Sequence, residues 1–191
     1  MKMTGGSLKN RTIKAPKGVK TRPTSEKVRQ IVFNIVQDKV EGAVFLDLFA
    51  GSGALGMEAL SRGAKKAVFV EKDFLAIKTL RENLKALQLT PFATVLAGDV
   101  FLLSKHLKGT SFDLIYIDPP YAQGLQEKAL VLIDRLDLLD EKGILFIEET
   151  SHEPLDIPLL NTLTFKRKRK TGSTTLYEFE SVSKVNPSLR R

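Results

Sequence analysis

The 191-residue chain has no cysteine, no tryptophan and only two histidines, His106 and His152. Without cysteine there can be no disulfide, no thiolate-held zinc or iron–sulfur cluster, no thiol protease chemistry and no pyrimidine methylation through a cysteine adduct. Neither histidine belongs to a metal-ligand spacing such as H-E-x-x-H, so no metal site is expected. Long apolar runs are missing too. The best stretch, Gly42 to Gly56, is interrupted by Asp47, and nothing reaches the ~18 residues that a membrane span requires. Residues 1–22 are basic and lack the apolar centre of a secretory signal. The sequon Asn10-Arg11-Thr12 is therefore read as chance, and a cytoplasmic protein with no membrane partner is expected.

Positive charge is what the chain has in excess, and it is placed unevenly. The formal net charge is +8. Residues 1–30 hold nine Lys and Arg residues against a single acid, Glu26, which equals the whole excess. A second run, Lys166-Arg167-Lys168-Arg169-Lys170, lies near the C-terminus. A balanced body with basic ends suits a protein that grips a polyanion, and Arg11, Lys14, Lys17, Lys20, Arg22, Lys27 and Arg29 are the candidate contacts. Basic residues on a strand edge also discourage aggregation, so charge alone does not settle the matter.

Gly5, Gly6, Pro16, Gly18 and Pro23 punctuate residues 1–23, which read as extended segments or a small hairpin. Thr24 or Ser25 caps a helix whose apolar face carries Val28, Ile31, Val32 and Ile35. From residue 43, strands and helices alternate. The strands are Val44–Leu48, Ala67–Glu71, Ala93–Ala97, Phe112–Ile117 and Gly143–Glu148. Between them lie a helix from Ala54 to Arg62, one capped by Asp73, a short one after Asp99, and one from Gln126 to Leu139. Continuous apolar strands of this kind belong to a parallel sheet with helices on both faces. Thr162–Lys170 and Thr174–Phe179 flank Thr171-Gly172-Ser173 and read as a closing antiparallel hairpin. The expected domains are a basic extension over 1–38, an α/β domain over 39–182 and a frayed tail over 183–191.

Gly51-x-Gly53-x-x-Gly56 follows the first strand, and Glu71 lies twenty residues beyond Gly51. The spacing fits a dinucleotide fingerprint, so an NAD-dependent oxidoreductase is one reading. Two acids favour another. Asp47, just ahead of the glycines, would repel a pyrophosphate but suits an ammonium or a sulfonium. Asp99, after the third strand, is placed to accept from an adenine amine. Each acid could be an ordinary helix cap; together with the glycines they describe a pocket for S-adenosyl-L-methionine.

Asp118-Pro119-Pro120-Tyr121 follows the fourth strand directly. The lone pair of an exocyclic amine is delocalised into its ring, so methylating it requires acceptors that hold the nitrogen tetrahedral. The Asp118 carboxylate and the Pro119 carbonyl can take the two amine hydrogens, the prolines stiffen the turn, and Tyr121 can stack on the base. A Pro-Pro strand terminator with an incidental Asp and Tyr is the plainer alternative.

These stretches resemble the class I amino-methyltransferases of adenine, cytosine or guanine. More closely, Arg22-Pro23-Thr24-x-x-Lys27-Val28-Arg29, Phe33-Asn34, Leu46 to Gly56 and Glu58-Ala59-Leu60-Ser61-Arg62-Gly63-Ala64 resemble the bacterial 16S ribosomal RNA guanine-N2 methyltransferases, over about residues 3–180. The resemblance implies a Rossmann-like class I methyltransferase fold with a seven-stranded sheet. It implies S-adenosyl-L-methionine as cofactor, held by Asp47, Phe49, Ala50, Gly51, Ser52, Gly53, Glu71, Lys72, Asp99 and Val100. Asp118, Pro119, Pro120 and Tyr121 would form the amine site, with the turn at Arg22 and Thr24 beside it on the RNA side. The partner would be 16S ribosomal RNA, in the small subunit or an assembly intermediate, met by a monomer. An adenine-N6 methylase acting on DNA shares the tetrapeptide, although 191 residues leave little room for a target-recognition domain. A non-enzymatic RNA-binding assembly factor with a vestigial pocket is the third alternative. The run at 166–170 is heavier than the family pattern leads one to expect, and its role stays open.

Overall fold

Apolar runs separated by glycine turns and amphipathic helices fold into one layered sheet in the computed structural model, which describes residues 1–16, 26–120, 124–150 and 154–182. The elements are α1 (Glu26–Ile35), β1 (Val44–Leu48), α2 (Ala54–Ser61), β2 (Lys66–Glu71), α3 (Phe74–Ala86), β3 (Ala93–Ala97), α4 (Val100–Leu103), β4 (Phe112–Ile117), α5 (Leu125–Leu136), β5 (Leu139–Thr150), β6 (Leu163–Thr171) and β7 (Thr174–Ser181). Seven strands stand in the order β3-β2-β1-β4-β5-β7-β6. The first five run parallel, and β7 pairs antiparallel with both β5 and β6. The order reverses between β1 and β4, and in such sheets the crevice at that switch point is where ligands bind.

Alternation along the strands divides the core in two. Phe45, Phe69, Tyr116 and Phe146 face the layer containing α1, α2 and α3. Leu46, Val68, Ile115, Ile117 and Leu145 face α4 and α5. Two sequence expectations need correction. The buried face of α1 is Val28, Arg29, Val32 and Phe33, turned from the expected stripe, so that Ile31 and Ile35 are only partly buried. Helix α5 stops at Leu136 because Asp137 turns left-handed (φ 51°), and β5 begins at Leu139, not Gly143. The apolar pair Leu138-Leu139 continues the helical spacing, which hid the break.

The start of the chain forms the expected small hairpin, with a bridge between Lys2 and Thr12. Met3 and Ile13 are buried in the same cluster as the sheet. Two polar hubs dock it. Glu58 of α2, fully buried, accepts from Thr4 N at 3.2 Å and from Thr4 Oγ1, and pairs with Arg29 Nε at 3.3 Å and Arg62 at 2.9 Å. Asn83 of α3 accepts from Lys14 N at 2.9 Å and donates to Lys14 O at 3.0 Å and Ser52 O at 3.2 Å. Residue 14 is thereby tied to the glycine turn after β1. No helix among the described residues is long and apolar enough to cross a membrane.

Candidate active site

Strand register gathers the predicted acids at one end of the sheet. Asp47 pairs with Phe69 and Tyr116, and Tyr116 with Phe146. Since side chains alternate, Asp47, Glu71, Tyr116 and Glu148 share one face, and Asp118 follows β4 at once.

The glycines have different tasks. Gly51 (φ 55°) has open space where a Cβ would stand, as a cradle for a ligand requires. At Gly53 and Gly56 a Cβ would lie 2.2 Å from Leu80 and 2.4 Å from Phe69. Those two serve helix-to-sheet packing. Phe49 also adopts a left-handed backbone (φ 62°), and its ring lies 6.5 Å from that of Phe101. Ala50 donates its N–H to Val70 O, while Ser52 and Val100 are buried.

Asp47 is 3% exposed and accepts one hydrogen bond, from Gly56 N at 3.0 Å. Burial pushes its carboxyl up to about 8; the Gly56 bond opposes the shift and the charge of Glu71 adds to it. Glu71 accepts from Gly51 N at 2.7 Å and from Lys72 N and Asp73 N at 2.8 Å. A carboxylate offers about four acceptor positions, so these bonds leave room for one hydroxyl of a diol without rearrangement. Asp99 caps α4 by accepting from Phe101 N, and its second oxygen lies 3.9 Å from Lys72 Nζ. An end of the sheet this rich in carboxyl groups is unsuited to a pyrophosphate and suited to a cation, a fit supported by the buried Asp47 carboxyl, which has no cationic partner among the described residues.

Past β4, Asp118 and Pro120 are half-buried and Pro119 is buried. Tyr121 lies outside the described residues. Sequence reasoning missed Tyr116, whose hydroxyl donates to buried Glu148 at 2.5 Å. Burial, reinforced by Glu148, Asp118 and Asp47, holds the phenol well above its ordinary range, so it stays a neutral donor beside these acids. An isolated hydroxyl within the apolar run Leu114–Ile117 was the available signal.

Among the candidate RNA contacts, Arg11 and Lys27 are exposed, and the exposed Lys14 ammonium pairs with Glu82 at 2.9 Å. Lys17, Lys20, Arg22 and Thr24 lie outside the described residues. Arg29 is not available to RNA. It is fully buried against Glu58, and its guanidinium donates to Lys2 O at 2.7 Å.

Residues 1–180 match the family model described as "Conserved hypothetical protein 95". The chain belongs to this family. The chain is 41% identical over 177 residues to the Bacillus subtilis protein named "Putative rRNA methyltransferase YlbH", covering 91% of this chain and 95% of that one. It is 33% identical over 148 residues to "Ribosomal RNA small subunit methyltransferase D" of Escherichia coli, covering 78% and 74%. The structure of the Escherichia coli "Putative methyltransferase yhhF" superposes with a TM-score of 0.83 at 27% identity, covering 96% and 99%. The Conserved hypothetical protein 95 chain thus has the seven-stranded sheet of a methyltransferase fold, with the hairpin at its edge.

Proposed function

We propose that this protein transfers a methyl group from S-adenosyl-L-methionine to the exocyclic N2 amine of a guanine in 16S ribosomal RNA, within the small subunit or an assembly intermediate. The small-subunit ribosomal RNA methyltransferases among its relatives support the coarse activity. The observation that carries transfer to an exocyclic amine is the half-buried Asp118, placed at the end of β4 beside the strand-end acids at the switch point; the choice of guanine N2 follows the family resemblance. The cofactor supplies a methyl group already activated on a sulfonium. Gly51 leaves room for it, Asp47 offers a counter-charge, and Glu71 offers an acceptor for a ribose hydroxyl. Asp118 and the Pro119 carbonyl orient the target amine and stabilise the positive charge that develops on nitrogen. Positioning and exclusion of water supply most of the remaining rate. Arg11, Lys14 and Lys27, with Lys17, Lys20, Arg22 and Thr24, are proposed to meet the RNA backbone.

Tritiated-methyl transfer to small subunits from a strain lacking the enzyme, followed by nucleoside identification, tests this reading. The expected product is N2-methylguanosine. N6-methyladenosine would replace it with the amine-methylase alternative, and no methyl entering any RNA would favour the assembly factor.

Asp47 gives the cofactor reading a pH signature. Its carboxyl is raised in the folded protein, so the stability carried by the neutral form is complete below the unfolded value near 4 and is lost as pH rises through about 8. Ligand-free protein should therefore lose stability, relative to Asp47→Asn, as pH rises across that window. A cation seated beside Asp47 lowers its pKa, so binding below pH ~8 should release a proton and tighten with rising pH. Calorimetry in buffers of different ionisation enthalpy measures that proton. Zero release would remove Asp47 from the cation site.

A further inference from the structure

The basic run at 166–170 lies on β6, the edge strand beyond β7. A β-bulge interrupts the pairing between Phe165 and Arg167. Without it, strict alternation would put Arg167 and Arg169 on the face of Phe165, whose ring packs against Tyr177 and Phe179. The extra residue re-aims both arginines to the opposite face. There they meet Glu178, a fully buried carboxylate. Arg167 Nε donates to its Oε2 at 2.7 Å and Arg169 Nε to its Oε1 at 3.0 Å. Both guanidinium side chains remain almost half exposed, and among the described residues their terminal nitrogens make no other hydrogen bond.

We infer that Arg167 and Arg169, held side by side by Glu178, form a clamp for a backbone phosphate of the RNA next to the methylated nucleotide. Paired guanidiniums whose Nε positions are already fixed present their remaining N–H groups in a pre-ordered fork, the geometry that recognises phosphate oxygens. Edge protection needs only charge on β6, which Lys168 and Lys170 supply on the other face; it does not need a buried acid orienting two arginines.

Register locates the clamp relative to the chemistry. Arg169 pairs with Leu176, Leu176 with Glu148, and Ile147 with Ile117, the residue before Asp118. Arg169 and Asp118 therefore lie in one row across the sheet, three strand spacings apart, about 14 Å at ~4.8 Å per strand. Glu178 pairs with Phe146 and Phe146 with Tyr116, so the clamp shares the face of the strand-end acids. A strand whose target base enters at Asp118 passes the clamp within a few nucleotides.

The inference rests on the RNA reading above, and its test is separable from it. Binding of a fluorescein-labelled small-subunit stem-loop RNA is measured by anisotropy against salt, beside methyl transfer by the wild-type protein. The double variant Arg167→Gln/Arg169→Gln should bind at least about ten-fold more weakly, with the salt slope reduced by ~0.7 for one lost phosphate contact. Arg167→Lys/Arg169→Lys should keep the slope without regaining the affinity. Glu178→Gln gives the sharpest outcome. It makes the protein more positive, so bulk electrostatics predicts tighter binding, whereas loss of the orienting carboxylate predicts weaker binding. Unchanged cofactor affinity and a single cooperative thermal transition above the assay temperature would show that each variant is folded. Tighter binding by Glu178→Gln, or wild-type affinity and slope in the double glutamine variant, would overturn the clamp and leave the methyltransferase reading standing. If the wild-type protein methylates no RNA, that reading fails while the binding series still decides the clamp.

Discussion

Asp118→Ala should lower the rate of methyl transfer at least ~10²-fold, the scale seen when one preorganised electrostatic partner is removed at a reacting centre. The side chain is half-buried directly after β4, with buried Pro119 fixing the turn behind it. In the proposed reaction it holds an amine hydrogen and faces the charge that appears on nitrogen as the methyl group arrives. No base with a raised pKa is needed beforehand, because the nitrogen's proton becomes acidic only after transfer. Cofactor and RNA affinities should stay within a few-fold of wild type, since neither relies on this carboxylate. Asp118→Asn keeps an acceptor oxygen and should retain more activity than alanine. Single-turnover rates with saturating cofactor separate chemistry from binding. Wild-type rates in both variants would reduce the tetrapeptide to a strand terminator.

The largest effect on stability is expected at Glu58. Its side chain and that of Arg29 are both fully buried, and Arg62 and Thr4 converge on the same carboxylate. Glu58→Ala removes the acid and leaves a guanidinium in the core with its main counter-charge gone. Breaking one partner of such a pair costs ~3–5 kcal/mol, which lowers the melting temperature on the order of 10 °C for a chain of this size. Replacing both partners with apolar residues of similar volume, as in Glu58→Leu/Arg29→Met, should recover part of that loss, because the fully buried guanidinium is then gone and only the partly exposed Arg62 loses its counter-charge. Thermal melts of Glu58→Leu, Arg29→Met and their double variant close the cycle. Equal losses in the single and double variants would mean that Glu58 acts through packing alone.

Strands β1, β3 and β4 were legible to the residue because Val44–Leu48, Ala93–Ala97 and Phe112–Ile117 are short apolar runs bounded by turn signals. The glycine turn was equally legible in place but not in function. Spacing cannot distinguish Gly51, which faces open space, from Gly53 and Gly56, which make room for Leu80 and Phe69. Arg29 was misplaced because charge was counted along the chain, while its partner Glu58 lies 29 residues away. A helical signal was present: Arg29 stands four residues before Phe33, and both are buried. The arginine pair on β6 could not be found without the bulge, since alternation alone assigns those side chains to the wrong face.

Among the described residues, the last strand in the chain is not the strand at the edge. Residues 174–181 form β7, which fills the gap between β5 and β6. During synthesis β6 therefore emerges before it has a neighbour to join, and β5 keeps one side unpaired until the final strand arrives. That side belongs to an apolar segment, Ile144 to Ile147, buried in the finished protein. An open apolar edge of this kind is a template for pairing with another chain. Nascent chains stalled before residue 174 should therefore be the species most prone to aggregate and most dependent on chaperones. Loss of a few residues at this late point in the message costs two strands at once.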